Sequence, residues 1–263
     1  MLRKIAIFAV AMAGAPASGD YLAVTWNGGG LWRLDEATGD SVQIGSIGSG
    51  WRANAMARSD DGRFFVSAGR ISGSERLFEI NAETGNIVGS FDLGLLDVRS
   101  MAFGPDGTLH VVDRRPRLMS QLWSVDIDAQ TVSNPMDFHS VGGLPGLQGF
   151  AIDASGQGFM AGPGRRLHHL DISTGDVFGD MPLAELLGVQ SLAFNGADDL
   201  VGLGRTLGDL DASIWTFDSE TGAVLDRMSI ESRDYRGFEW VVPSPGALAC
   251  FGAMAVLGTR RRR

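Results

Sequence analysis

Cysteine is almost missing from this chain: Cys250 stands alone among 263 residues. No disulfide can form within the chain, so whatever fold it adopts must be held by its core. Lysine is scarcer still for its type, occurring once at Lys4, so the basic side chains are otherwise arginines. The sequence has no G-x-S-x-G elbow, no H-E-x-x-H pair and no glycine-rich phosphate loop between a strand and a helix, which removes the commonest local signatures of catalysis. His110, His139, His168 and His169 are scattered, without a neighbouring carboxylate partner. Asp126 with Asp128, and Asp209 with Asp211, offer too few oxygens for calcium, so no metal site and no cofactor are expected. Positive charge is also short: 22 basic residues face 31 acidic ones, and a chain so acidic is a poor partner for nucleic acid. What the chain has in quantity is glycine, 37 residues, with 44% hydrophobic side chains, a composition of strands and turns around a sizeable core.

The two ends differ from the middle. Arg3 and Lys4, an apolar run over residues 5–13 and then Ala15-Pro16-Ala17 have the order of a secretory signal peptide, with cleavage expected after Ala17. Residues 1–17 are therefore assigned to the signal, 18–242 to the body and 243–263 to a tail. The tail runs from Val242, Pro243, Ser244 and Pro245 through an apolar stretch, 246–259, to Arg260, Arg261, Arg262 and Arg263. A short motif, an apolar transmembrane helix and a terminal basic cluster form a stop-transfer device, the arginines staying on the cytoplasmic side. These residues resemble the PEP-CTERM sorting signal, with Ser244 where that family has glutamate. The resemblance implies that an exosortase-like membrane protease is a partner and that the body is released or transferred to the cell surface. A plain membrane anchor is the alternative, although 14 apolar residues are short for a bilayer that needs about 20. Loss of both ends would remove six basic residues and no acid, leaving 16 against 31 and a body charge near −15.

The body repeats. Leu31-Trp32-Arg33-Leu34-Asp35 returns at residues 77–81, 122–126, 167–171 and 214–218, at intervals of 46, 45, 45 and 47. Four of these segments lead into a turn ending in Thr-Gly, at Gly39, Gly85, Gly175 and Gly222, with Ala129-Gln130-Thr131 aligned to it in the third repeat. Glycine there supplies the positive φ of a short hairpin loop. A second hairpin precedes each Leu-Trp strand, clearest around Gly104-Pro105-Asp106-Gly107. Four strands per unit at this period make a propeller blade. The first unit lacks its first strand, while residues 237–242 follow the fifth with no blade of their own. The fold expected is thus all-β: a five-bladed β-propeller of four-stranded blades, closed by the C-terminal strand pairing into the first blade. In architecture the body resembles the surface-layer and quinoprotein-like propellers with YVTN-type repeats. That likeness carries no catalytic motif with it.

Aligning the innermost strands places Asn54, Arg99, Gln148, Gln190 and Arg236 at one position, where five polar side chains would ring the channel mouth. Loops on the same face add Asn27, Arg70, Arg114, Arg115, Arg117, Arg165, Arg166 and Arg205, whereas the opposite turns carry Asp60, Asp61, Asp106 and Glu220. Guanidinium groups suit carboxylate, sulfate or phosphate, so an acidic polysaccharide or another anionic ligand is the expected partner. Trp26, Trp51 and Tyr235 are either stacking platforms there or packing residues. Because the ring is Asn, Arg and Gln rather than carboxylate or histidine, the reading is a non-catalytic binding role on an exported, surface-sorted protein. A propeller hydrolase or lyase with a site at the mouth, and a purely structural envelope role, stay open as alternatives.

Overall fold

The computed structural model describes residues 19–241 except 71–72, 115–119, 134, 140–146, 162–163, 184–185 and 207–208, and the described residues form twenty-one strands. Residues 1–17, expected to be a signal peptide, the tail with Val242, Pro243, Ser244, Pro245 and the four terminal arginines, and Arg115 and Arg117 lie outside the described residues. No helix among the described residues is long and apolar enough to cross a membrane.

Blade 1 holds β1 (Asp20–Thr25), β2 (Gly30–Asp35) and β3 (Ser41–Ser46). Blade 2 holds β4 (Arg52–Arg58), β5 (Phe64–Gly69), β6 (Glu75–Ile80) and β7 (Ile87–Asp92). Blade 3 holds β8 (Val98–Phe103), β9 (Leu109–Arg114), β10 (Ser120–Asp126) and an outer strand divided into β11 (Thr131–Val132) and β12 (Met136–Asp137). Blade 4 holds β13 (Gly149–Ile152), β14 (Gln157–Ala161), β15 (Arg166–Asp171) and β16 (Val177–Pro182). Blade 5 holds β17 (Leu186–Phe194), β18 (Leu200–Thr206), β19 (Asp209–Phe217) and β20 (Val224–Ser229). The last strand, β21 (Tyr235–Val241), pairs antiparallel with β1, so that blade 1 reads β21-β1-β2-β3. Closure is as the repeat requires: the inner strands β21, β4, β8, β13 and β17 pack each against the next around a ring.

The strands of a blade are apolar on both faces because each blade is covered on both. Along β1, Leu22 and Val24 enter the core shared with blade 2, while Tyr21 and Ala23 enter the core shared with blade 5, as the period of two dictates. All six residues of β5 are buried for the same reason. The repeated aromatic of the third strand, Trp32, Phe78, Trp123 and Trp215, always faces the preceding blade. His168, in the fourth copy, turns its Nδ1 to the Gly179 carbonyl, and His169 on the other face turns its Nε2 to the Ser219 carbonyl.

The outer hairpins share one chemistry. Asp35 Oδ1 accepts the N–H groups of Ala37 and Thr38, and Asn81, Asp171 and Asp218 repeat the arrangement. Four residues after each cap stands the glycine, with φ between 66° and 80°. In blade 3 the cap is Asp126 and the residue four on is Gln130, at φ 53°. The structure thus puts Gln130, not Thr131, in the place of the turn glycine; Thr131 pairs with Asp126 as the first residue of the outer strand.

Candidate functional site

Four of the five aligned polar residues share a backbone device that the alignment did not reveal. Where β21 passes β1, Val24 faces Gly237 and Thr25 faces Tyr235, leaving Arg236 as an extra residue. Asn54 is left over in the same way between Ala53 and Ala55, Arg99 between Val98 and Ser100, and Gln190 between Val189 and Ser191. In blade 4 the Gln148 N–H donates to the Ala161 carbonyl at 3.1 Å, opposite the residue that already faces Gly149. Arg236, Asn54, Arg99 and Gln190 are therefore the additional residues of β-bulges, which bend the strand and redirect one side chain away from the packed faces. Gln148 stands at the corresponding place, just before β13.

The side chains divide into two sectors. In the first, blades 5, 1 and 2 meet around Trp26. The Arg236 guanidinium lies 5.3 Å from the centre of that ring and the Arg52 guanidinium 5.4 Å, both within cation–π range. Arg236 also donates to Gln190 Oε1 at 2.9 Å and sits 2.9 Å from Asp234. Arg52 has no carboxylate partner among the described residues. A backbone bridge between Asn27 and Arg52, with the Ala53 N–H donating to the Trp26 carbonyl, ties the loop after β1 to the start of β4. Asn54, almost fully buried, is two residues along the same strand. Trp51 carries the Arg70 guanidinium at 4.6 Å and packs edge-on against Phe78, so it is committed to packing on one side and to a cation on the other.

The second sector, between blades 2 and 3, is a network of opposite charges. Arg99 and Arg114 converge on one oxygen of Asp97, at 2.7 and 2.8 Å. Asp113 is wholly buried and its Oδ1 accepts the N–H groups of Leu96 and Asp97, anchoring the segment that leads into β8. Glu75 lies beneath them, 3% exposed, and accepts from Ser67 Oγ at 3.0 Å. Burial pushes its carboxyl up to about 8; the carboxylates of Asp97 and Asp113 push the same way, against the Ser67 hydroxyl and the Arg99 charge. At neutral pH Glu75 is mostly a neutral acid.

Of the residues read from the sequence, the structure joins Gln190 to Arg236 and Arg99 to Arg114 through Asp97. Arg70 stands apart on Trp51, and Arg166 pairs with Asp180 at the outer strand, 3.0 Å away. Among the described residues Arg205 and Gln148 make no side-chain bond to the others, and Tyr235 is buried. The sequence reading passed over Arg52, Glu75, Asp97, Asp113 and Asp234. One signal is there: Asp113 falls where the middle strands of blades 2 and 5 carry Ala68 and Gly204, an acid in place of a small residue at a fixed repeat position. Among the described residues no group of three or more His, Cys, Asp or Glu is placed to hold a metal ion.

No protein family matches the sequence, and no curated protein is similar to it. Solved structures are. A Bacteroides caccae protein of unknown function superposes over 85% of this chain and 99% of its own, at 14% identity and a TM-score of 0.56. The Pseudomonas aeruginosa periplasmic gluconolactonase PpgL matches over 86% of this chain and 99% of its own, at 11% identity and a TM-score of 0.55. TolB from Acinetobacter baumannii matches over 86% of this chain but only 55% of its own, at 18% identity and a TM-score of 0.53. At such identities the likeness is one of fold.

Proposed function

We propose that the protein is an exported propeller which holds an anionic ligand, an acidic polysaccharide in the first instance, at its channel mouth without turning it over. The observation that carries this is the pair Arg52 and Arg236 on Trp26, of which only Arg236 has a carboxylate beside it. An unmatched guanidinium next to a half-buried indole, with Asn54 and Gln190 supplying amide groups nearby, suits a carboxylate or sulfate on a sugar. Export and surface sorting rest on the signal-like start and on the tail that resembles PEP-CTERM sequences, with an exosortase-like protease as the processing partner and a membrane-held precursor. The test is retention of the purified protein on acidic and neutral polysaccharides at low and high salt, beside Arg52→Ala/Arg236→Ala. Salt-sensitive binding to acidic glycans that falls at least about tenfold in the double variant supports the reading. Binding unchanged by the double variant removes the mouth as the site, and no glycan binding at all leaves a structural envelope role.

A second reading has one observation in its favour. Glu75, a neutral acid close to the mouth arginines, has the protonation state that a hydrolase or lyase needs in a general acid. The PpgL likeness makes a lactone a reasonable first substrate to try, and turnover lost in Glu75→Gln would establish this reading over the first. Its near-complete burial and its bond to Ser67 favour a structural part.

A further inference from the structure

On the face opposite the mouth, four of the five seams between blades are shut by the same contact. The turn glycine of one blade lies on the outer strand of the blade before it, in three of the four so closely that a Cβ would fall within 2.7 Å of a backbone carbonyl. A Cβ on Gly85 would stand 2.7 Å from the Ile44 carbonyl, on Gly175 2.5 Å from the Asp137 carbonyl and on Gly39 2.4 Å from the Ser229 carbonyl. On Gly222 it would meet Met181 at 3.0 Å. The seam between blades 2 and 3 is the exception. Gln130 replaces the glycine, and Phe91 occupies the outer-strand position that Gly45 holds in blade 1, opposite the equivalent leucine of the third strand. In the other blades that outer-strand position is Gly45, Met136, Met181 or Met228 and the seam still shuts, so Gln130 is the difference here. Beside this seam, between the inner turn of blade 2 and blade 3, lies a cleft of about 570 Å³, against about 290 Å³ at the corresponding place between blades 4 and 5.

The cleft is lined in two registers. Its floor is apolar, with Phe103, Ile127 and Val132 only partly covered. Its rim is acidic, with Asp60, Asp106 and Asp128 exposed upon it. Arg63, the cation at the edge, is already held by Glu79 through two bonds of 3.0 Å. Asp106 caps its own turn, but among the described residues Asp60 makes no side-chain bond and Asp128 meets only Arg63, at 3.6 Å, with 93% of the Asp128 side chain exposed. An apolar floor under a negative rim matches a side chain with an aliphatic stem and a cationic head.

We infer that this seam docks a basic segment of a partner protein, arginine or lysine stems lying on Phe103, Ile127 and Val132 and their heads meeting Asp60 and Asp128. The site is separate from the arginine-bearing mouth and of opposite charge preference. The probe is a fluorescent Arg-Leu-Arg-Leu-Arg peptide titrated onto the full protein, compared with its Glu-Leu counterpart and with free arginine amide. Asp60→Asn/Asp128→Asn should weaken the basic peptide at least about fivefold. Asp198→Asn, on the rim of the smaller blade 4–5 cleft, controls for general attraction to an acidic protein and should leave binding within about twofold. Equal loss in the control variant, binding of the acidic peptide, or no saturable binding would overturn the site. Arginine amide binding as tightly as the peptide would overturn the partner protein in favour of a small organic cation. Both aspartates are exposed and cap no turn, so unchanged circular dichroism is expected of the double variant.

Discussion

The two faces of the propeller are built on different principles. The turn face is periodic: one capped hairpin, one positive-φ glycine and one close backbone contact recur with a single departure at Gln130. The mouth face is periodic chiefly in its backbone, where four bulges fall at one level, and its side chains are Asn, Arg or Gln with different partners from blade to blade. The turn face thus holds the ring together, while the mouth has been left free to vary. Substitutions on the turn face should act on stability through backbone contact, and those at the mouth through charge.

The largest effect is expected at Gly85. It combines φ 66° with backbone atoms of blade 1 within 2.8 Å of where a Cβ would be, so Gly85→Ala meets both conformational strain and a rigid clash. A loss on the order of 3 kcal/mol or more is expected from urea unfolding. Gly62, at φ 86° with open space around it, isolates the conformational part; Gly62→Ala should cost about 1–2 kcal/mol. Equal losses at the two positions would mean that the inter-blade contact contributes nothing.

Glu75 comes next and belongs to the mouth. Its carboxyl ionises near 4.5 in an unfolded chain and near 8 in the fold. Between those values the folded protein holds a proton that the unfolded chain has released, so stability falls as pH rises from about 4.5, and the loss ends above about 8, where both forms are ionised. Glu75→Gln removes this dependence and should be more stable than the parent at pH 8 by a few kcal/mol. Chemical denaturation at pH 5, 6.5 and 8 reads it directly. Parallel pH profiles for the two proteins would show that Glu75 is ionised in the fold at neutral pH.

The same division explains what could be read from the sequence. Blade number, strand count and closure by β21 follow from local signals that repeat: an apolar strand, a cap and a glycine at fixed spacing, and a strand left without a blade. The level of Asn54, Arg99, Gln148, Gln190 and Arg236 could also be found, because each precedes a small residue. That four of these were bulges could not, since a bulge is a property of two strands in register and leaves no mark on one. Nor could the convergence of Arg99 and Arg114 on Asp97, which depends on the end of β9 lying beside the start of β8, or the burial of Glu75, which depends on blade 2 meeting blade 3. A count of arginines on one face overstated its free positive charge, because carboxylates arrive from neighbouring segments.

A smaller contrast tests that last point. Arg99 is 13% exposed in its ion pair with Asp97, whereas Arg63 on the turn face is 35% exposed in its two-bond pair with Glu79. Geometry favours the Arg63 pair, but burial raises the cost of leaving a partner unmatched. Arg99→Ala should therefore cost about 1–2 kcal/mol and Arg63→Ala under about 1 kcal/mol, with only the second effect fading in high salt. The reverse order would mean that Arg114 alone satisfies Asp97.

The smallest effect should be a gain. Gln130 is the one non-glycine in its turn position, at φ 53°, and a side chain in the left-handed region costs about 1–2 kcal/mol relative to glycine. Gln130→Gly removes that strain but frees the unfolded chain, which returns part of the benefit, so a net stabilisation of about 0.5–1 kcal/mol is expected in urea. The strain survives in a repeat whose other four copies have dispensed with it. If the cleft between blades 2 and 3 is what Gln130 keeps open, Gln130→Gly should also lower affinity for the basic peptide while raising stability. A gain in stability with binding unchanged would mean that the cleft, lined by Asp60, Phe103, Ile127 and Val132 but not by Gln130, is held open independently of that turn.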